Sequence, residues 1–173
     1  SVTDVSGRAD SDPVDQLREG DLDVTIACTG PLLERRDRAA AHELADSGME
    51  DADLSVATYD ALVGTFPAEV GTVDPSPAQG CAAQRDDAAA EAAGLPHNLV
   101  PLYAEGKFNR WTVFRLNFLT RVMATDDIAE MADKVRDGEP VDDVTRDWLL
   151  EYAGITYDGD MIAPTEPKSA PGA

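Results

Sequence analysis

Hydrophobic and polar positions alternate most strictly near the start of the chain, where Leu22, Val24, Ile26 and Cys28 are separated by Asp23, Thr25 and Ala27. A period of two marks a half-buried strand, so residues 21–28 are expected to form one, with Asp21 and Asp23 on the solvent face. Upstream, Asp12-Pro13 offers an N-cap followed by proline at the first helical position; Val14 and Leu17 share a face, and Gly20 ends a short helix. Thr29-Gly30-Pro31 closes the strand. The spacing then becomes helical. Residues 32–48 read as one helix ending at Gly48, 49–55 as a connection, and 56–63 as a short helix carrying Val56, Tyr59, Leu62 and Val63.

Residues 64–84 hold Pro67, Pro75 and Pro77 together with Gly64, Gly71 and Gly80, which predicts an extended loop. A bare loop of that length is unusual in a compact domain. An Ala-rich helix over 85–93 is expected to stop at Gly94, and the segment from Leu95 leads into a short strand at 98–103. Three amphipathic helices follow: 109–123 with Trp111, Phe114, Phe118, Leu119 and Val122; 126–136 with Ile128, Met131, Ala132 and Val135; and 141–152 with Val144, Trp148, Leu149 and Tyr152. Trp111, Phe114, Phe118 and Trp148 are therefore expected in the core. Residues 1–10 read as a flexible start and 163–173, with three prolines, as a disordered tail. Between them, 11–162 is expected to be a single α/β domain, a small sheet of residues 21–28 and 98–103 covered by helices.

Charge narrows the partners. The chain has 34 acidic and 14 basic side chains, a formal charge of −20. Such a surface repels nucleic-acid phosphates and anionic lipid headgroups. No apolar run is long enough to span a bilayer. No signal peptide is read, so an exported form is expected to carry its leader outside this sequence or to have lost it. Residues 105–121 depart from the acidic background, with Lys107, Arg110, Arg115 and Arg121 against Glu105 alone. Basic residues among aromatics suit single-stranded nucleic acid, but these aromatics sit at core spacing, and the reading is a packed helix with internal ion pairs. The carboxylate pairs Asp21/Asp23 and Asp158/Asp160 read as solvated faces rather than calcium ligands or an acid–base pair. With Cys28, Cys81, His42 and His97 as its full complement of those residues and no C-x-x-C, the chain is expected to hold no zinc. No phosphate-cradling glycine loop, G-x-S-x-G or H-E-x-x-H occurs, so neither a cofactor nor catalysis is expected.

Two stretches resemble the substrate-binding proteins of ABC importers for glycine betaine, choline and related osmoprotectants. The first runs from Val14-Asp15-Gln16-Leu17-Arg18-Glu19-Gly20-Asp21-Leu22-Asp23-Val24 to Cys28-Thr29-Gly30, similar to a helix and strand that end in "Y-T-G" at the ligand cleft. The second runs from Leu116-Asn117-Phe118-Leu119 through Met123-Ala124-Thr125 to Val141-Asp142-Asp143-Val144 and Trp148-Leu149, similar to the family's closing pattern. Pro96-His97-Asn98-Leu99-Val100-Pro101 resembles the cleft segment "P-Y-N-x-x-P". The resemblance implies one lobe of a periplasmic-binding-protein-like fold, an extracytoplasmic setting (secreted or anchored to the cell envelope, as a lipoprotein is) and a role beside an ABC permease. It places Thr29, Gly30, His97 and Asn98 at the mouth of a ligand cleft.

The departures bear on function. Cys28 and His97 stand where the family pattern has tyrosines, and residues 32–94 replace the section that forms a second lobe. A quaternary ammonium has no N–H to donate and is held by aromatic faces worth roughly 0.5–2 kcal/mol each. Two expectations follow. If Tyr59 or Tyr103 rebuilds an aromatic wall beside Thr29 and His97, the chain is a solute-binding module for small quaternary ammonium ligands. If the loop 64–84 fills the cleft, it is an envelope interaction domain that kept the lobe and lost the solute.

The cysteine count is even, and Cys81 lies near the end of the long loop. A Cys28–Cys81 bridge would close a loop of about 54 residues, worth roughly 4 kcal/mol; a reactive thiol or two separate buried thiols are the other readings. Mass spectrometry of protein made under oxidising conditions and digested without reductant is expected to find one peptide pair joined through Cys28 and Cys81. Free thiols at both positions would refute the bridge.

Overall fold

A computed structural model describes residues 12–79 and 94–152. The expected helix over 85–93, the start, the tail, Cys81 and the Asp158/Asp160 pair lie outside the described residues. Helix α1 (Pro13–Glu19) begins as its sequence dictates: the Asp12 carboxylate accepts the Val14 N–H at 2.8 Å, and Gly20, at φ 82°, closes the helix in a left-handed turn. Strand β1 (Val24–Cys28) follows. The single helix expected over 32–48 is two, α2 (Thr29–Arg36) and α3 (Arg38–Ala45). The break falls at Asp37, whose backbone leaves the helical region and whose carboxylate accepts the Ala40 N–H at 3.0 Å, starting a new helix. Helix α4 (Asp51–Val63) takes in most of the expected connection, because Asp51 and Asp53 suit the positive end of a helix.

A strand, β2 (Val70–Thr72), lies inside the predicted loop, and β3 (Leu99–Ala104) lies between the other two strands. Both pairings are antiparallel: Val24 faces Tyr103 and Cys28 faces Leu99 on one side, while Val70 faces Ala104 and Thr72 faces Leu102 on the other. The Thr72 hydroxyl donates to the Pro101 carbonyl at 2.7 Å. Val100, Leu102 and Ala104 form one core with Val14 and Leu17 of α1, Leu32 and Leu33 of α2, Leu62 of α4 and Val70 of β2. Arg36 ties three helices to this core, reaching Asp12 at 3.0 Å, the Thr65 hydroxyl at 3.2 Å and the Thr65 carbonyl at 3.2 Å.

The alternation expected over 21–28 is inverted at its middle. Ile26 and Val24 point outward, 66% and 45% exposed, while Ala27 packs on the core. β1 is an edge strand held against α1 and α2, where the small Ala27 permits close approach. At the two ends the expected sense holds: Leu22 packs on the core, Cys28 is buried, and Asp21 and Asp23 are exposed.

Helix α5 (Arg110–Val122) shows the same inversion. Trp111 and Phe114 are 55% and 52% exposed and Phe118 is half-buried, whereas Thr120, on the opposite side, is buried. Thr120 satisfies its hydroxyl within the helix by donating to the Leu116 carbonyl at 2.8 Å, which makes a polar residue tolerable inside.

The chain divides into two compact units, Ser1–Thr125 and Asp126–Ala173. The described residues of the second unit form two helices, α6 (Thr125–Arg136) and α7 (Val141–Tyr152). Ile128, Met131 and Val135 of α6 and Val141 and Val144 of α7 line an apolar groove of about 560 Å³. Trp148 is buried and stacks with Tyr152 at 6.0 Å. No described helix is long and apolar enough to cross a membrane.

The two tryptophans therefore differ. Trp148→Ala is expected to lower stability by about 3–5 kcal/mol and Trp111→Ala by less than about 1 kcal/mol, measured by urea unfolding. Equal losses would show that the outer face of α5 is covered.

Candidate functional site

The residues assigned to a cleft mouth converge where β1 runs into α2. Thr29, the first residue of α2, is fully buried. Its N–H donates to the Asn98 carbonyl at 3.0 Å and its hydroxyl to the Pro96 carbonyl at 2.9 Å. The Gly30 N–H donates to the same Pro96 carbonyl at 2.9 Å. A Cβ at Gly30 would lie 2.7 Å from that oxygen and 2.8 Å from Leu95 Cβ, so only glycine allows the two segments to come this close. Thr29, Gly30, His97 and Asn98 thus lie together, and the Thr29 and Asn98 side-chain donors and the Gly30 N–H bond to the chain's own backbone carbonyls.

The remaining space is taken by residues 73–79. The Asn98 amide donates to the Ser76 carbonyl at 2.9 Å. The Ser76 N–H donates to the Leu99 carbonyl at 2.7 Å, and the Leu99 N–H to the Ala78 carbonyl at 3.2 Å, so the segment extends the sheet's bonding past the end of β2. The Gln79 side-chain oxygen accepts the His97 N–H at 2.6 Å, and the Ser76 hydroxyl donates to the Met123 carbonyl at 2.7 Å. Ser76 and Ala78 are buried, at 1% and 0% exposure. Sequence reasoning did not single out Ser76, Ala78 or Gln79. The signal was Asp74-Pro75-Ser76-Pro77, because a residue before proline is held in extended backbone, the conformation that lies along a strand.

Tyr59 and Tyr103 are not part of this place. Tyr103 pairs with Val24, at the other end of β1 from Cys28, and five residues of strand set it about 16 Å from Asn98. Its ring is buried, meets Phe108 edge-on at 5.9 Å and covers Gly71, where a Cβ would lie 2.5 Å from the ring. Burial, with Glu105 adding to it, raises its phenol pKa. Tyr59 donates to the Val73 carbonyl at 3.1 Å. Burial first, then the Asp74 carboxylate, pushes its phenol above the usual value. It lines an open groove of about 380 Å³ with Thr72, Asp74, Arg110, Phe114 and Asn117. No aromatic wall therefore forms at Thr29 from either tyrosine.

Cys28 is buried and disulfide-bonded; Cys81, the other cysteine of the chain, lies outside the described residues. Among the described residues no three His, Cys, Asp or Glu side chains gather in a way that suits a metal ion.

The second concentration of unusual side chains is the outer face of α5. Trp111 and Phe114 stack at 5.4 Å with 14° between their planes, and the Arg115 guanidinium lies 5.4 Å from the Trp111 ring centre. The expected ion pairs around this segment are partly present: Lys107 meets Asp23 at 2.8 Å and Arg121 approaches Asp74 at 3.8 Å, all four side chains well exposed. Arg115 lies against an aromatic ring instead.

Set against known protein families, curated proteins and solved structures, the chain matches none.

Gly30→Ala is expected to destabilise the protein by about 1–3 kcal/mol, the usual cost of forcing atoms into a filled site. Unchanged thermal unfolding in that variant would mean that the 95–98 segment can yield and that the cleft position is less tightly closed than described.

Proposed function

We propose that this chain is a non-catalytic interaction domain of the cell envelope, built on a single lobe of the periplasmic-binding type, whose ligand cleft has been filled by its own residues 73–79. The observation that carries this reading is the engagement of Thr29 and Asn98. The carboxylate of a betaine would need those donors, and both are buried and already bonded to backbone carbonyls. Freeing a buried bonded group costs about 1–3 kcal/mol before any ligand contact is made. The cationic end fares no better, because Tyr59 and Tyr103 stand elsewhere and a disulfide-bonded Cys28 has no π face to offer.

An oxidised Cys28 supports an extracytoplasmic setting, since disulfides persist in oxidising compartments. The formal charge of −20 supports a protein partner over nucleic acid.

Isothermal calorimetry of the purified chain at neutral pH is the test. Glycine betaine and choline are each expected to bind more weakly than about 1 mM, a free energy no better than about −4 kcal/mol. Micromolar binding of either would overturn the filled-cleft reading and return the chain to solute binding, with the groove beside Tyr59 and Asp74 the first place to mutate.

A further inference from the structure

Helix α5 is the one helix of the seven described that contains no Asp or Glu, in a chain that has 34 of them. Its outward face carries Trp111, Phe114 and Val122 exposed, with Phe118 half-buried between them. These fall at helical spacings of three, four and four, which makes one continuous apolar stripe. Arg110 and Arg121, both exposed, lie on one flank of the stripe, Arg121 loosely approached by Asp74 at 3.8 Å, and Arg115 rises on the other over the Trp111 ring. A groove of about 330 Å³ runs along the stripe between Phe114, Phe118 and Arg121.

Such a face is shaped for one kind of occupant. An aromatic stripe at helical repeat is matched by the apolar face of another amphipathic helix laid along it. Arginines on both flanks are matched by carboxylates bordering that apolar face, and Arg and Trp are the residue types that most often dominate binding energy. We infer that the outer face of α5 is a docking surface for an acidic amphipathic helix of a protein partner. This rests on the interaction reading given above and names the partner's chemistry. A polyphosphate strand fits the arginines and rings but brings a charge every few ångströms into the field of a −20 surface, whereas a helix presents its carboxylates only where the arginines stand. A second copy would bring a further −20 to the encounter.

The experiment uses the full chain and two labelled synthetic peptides of about 20 residues, about 30 Å of helix each. Both carry the same leucine stripe, flanked by Glu in one and by Lys in the other. Fluorescence anisotropy is expected to give a dissociation constant on the order of 10–100 µM for the Glu peptide, weakening about tenfold in Phe114→Ala and in Arg115→Glu, as loss of a central contact does. Raising salt from about 50 to 500 mM is expected to weaken binding as well, since the charges are exposed. Arg38→Ala, an exposed change on α3, is expected to leave affinity unchanged.

Equal or tighter binding of the Lys peptide, or no binding of either, overturns the acidic-helix assignment. So does tighter binding of a single-stranded oligonucleotide or of anionic vesicles. Self-association that Phe114→Ala abolishes overturns it in favour of a second copy. In each case the calorimetric result with glycine betaine separately decides whether the interaction reading stands.

Discussion

Strand β3 has partners along both edges, and the first unit is organised by that fact. β1 takes one edge from Leu99 to Tyr103; β2 takes the C-terminal half of the other, Leu102–Ala104, and the extended segment 73–79 bonds to its first residue, Leu99. Because each backbone donor and acceptor inside a protein needs a partner, a strand so enclosed can bury its side chains completely. Val100 and Leu102 are accordingly at zero exposure and anchor the core against α1, α2 and α4. The bonds that complete β3 also occupy the ground beside Asn98. At this position a fully bonded β3 and open space beside Asn98 exclude one another, and the bonded strand is what the fold holds.

The same trade sets the character of the surface. With Thr29, Gly30 and Asn98 drawn inward, the side chains left to meet other molecules are those that the core did not take. On α5 these are aromatic and basic, whereas the other described helices all carry carboxylates. An exposed stacked pair such as Trp111 and Phe114 gives up the burial that would otherwise stabilise the fold, and the proposed docking of a partner helix would recover it.

Much of the architecture was legible in the residues. Asp12-Pro13 and Gly20 marked α1, the alternation over 22–28 marked β1, and the apolar spacing after Asn109 marked three helices close to their observed bounds. What periodicity could not supply was the direction of each face. A stripe at helical spacing says that one side differs from the other, not which side meets the core; on α5 the core accepted Thr120, which bonds within its own helix, and left Trp111 outside. In β1 the contest went to Ala27 over Ile26 because an edge strand beside two helices rewards close approach over bulk. Thr29, Gly30, His97 and Asn98 lie together because they flank the junction of two paired strands. Tyr59 and Tyr103 do not join them, because strand register, which no single stretch of sequence displays, sets Tyr103 at the far end of β3.

The outward turn of Val24 and Ile26 has a consequence for how the protein tolerates its surroundings. Among the described residues β1 pairs on one side only, with β3, so it presents an apolar edge of the kind through which sheets of separate molecules join into fibrils. Asp21 and Asp23 stand just ahead of it as gatekeepers, within a molecule whose formal charge of −20 keeps its copies apart in dilute buffer. That guard is purely electrostatic. Brine that shortens the reach of charge to about 3 Å at 1 M, or acid that neutralises the carboxylates, removes it while leaving the sticky edge in place. Under those conditions the five residues of β1 are left as an unguarded edge.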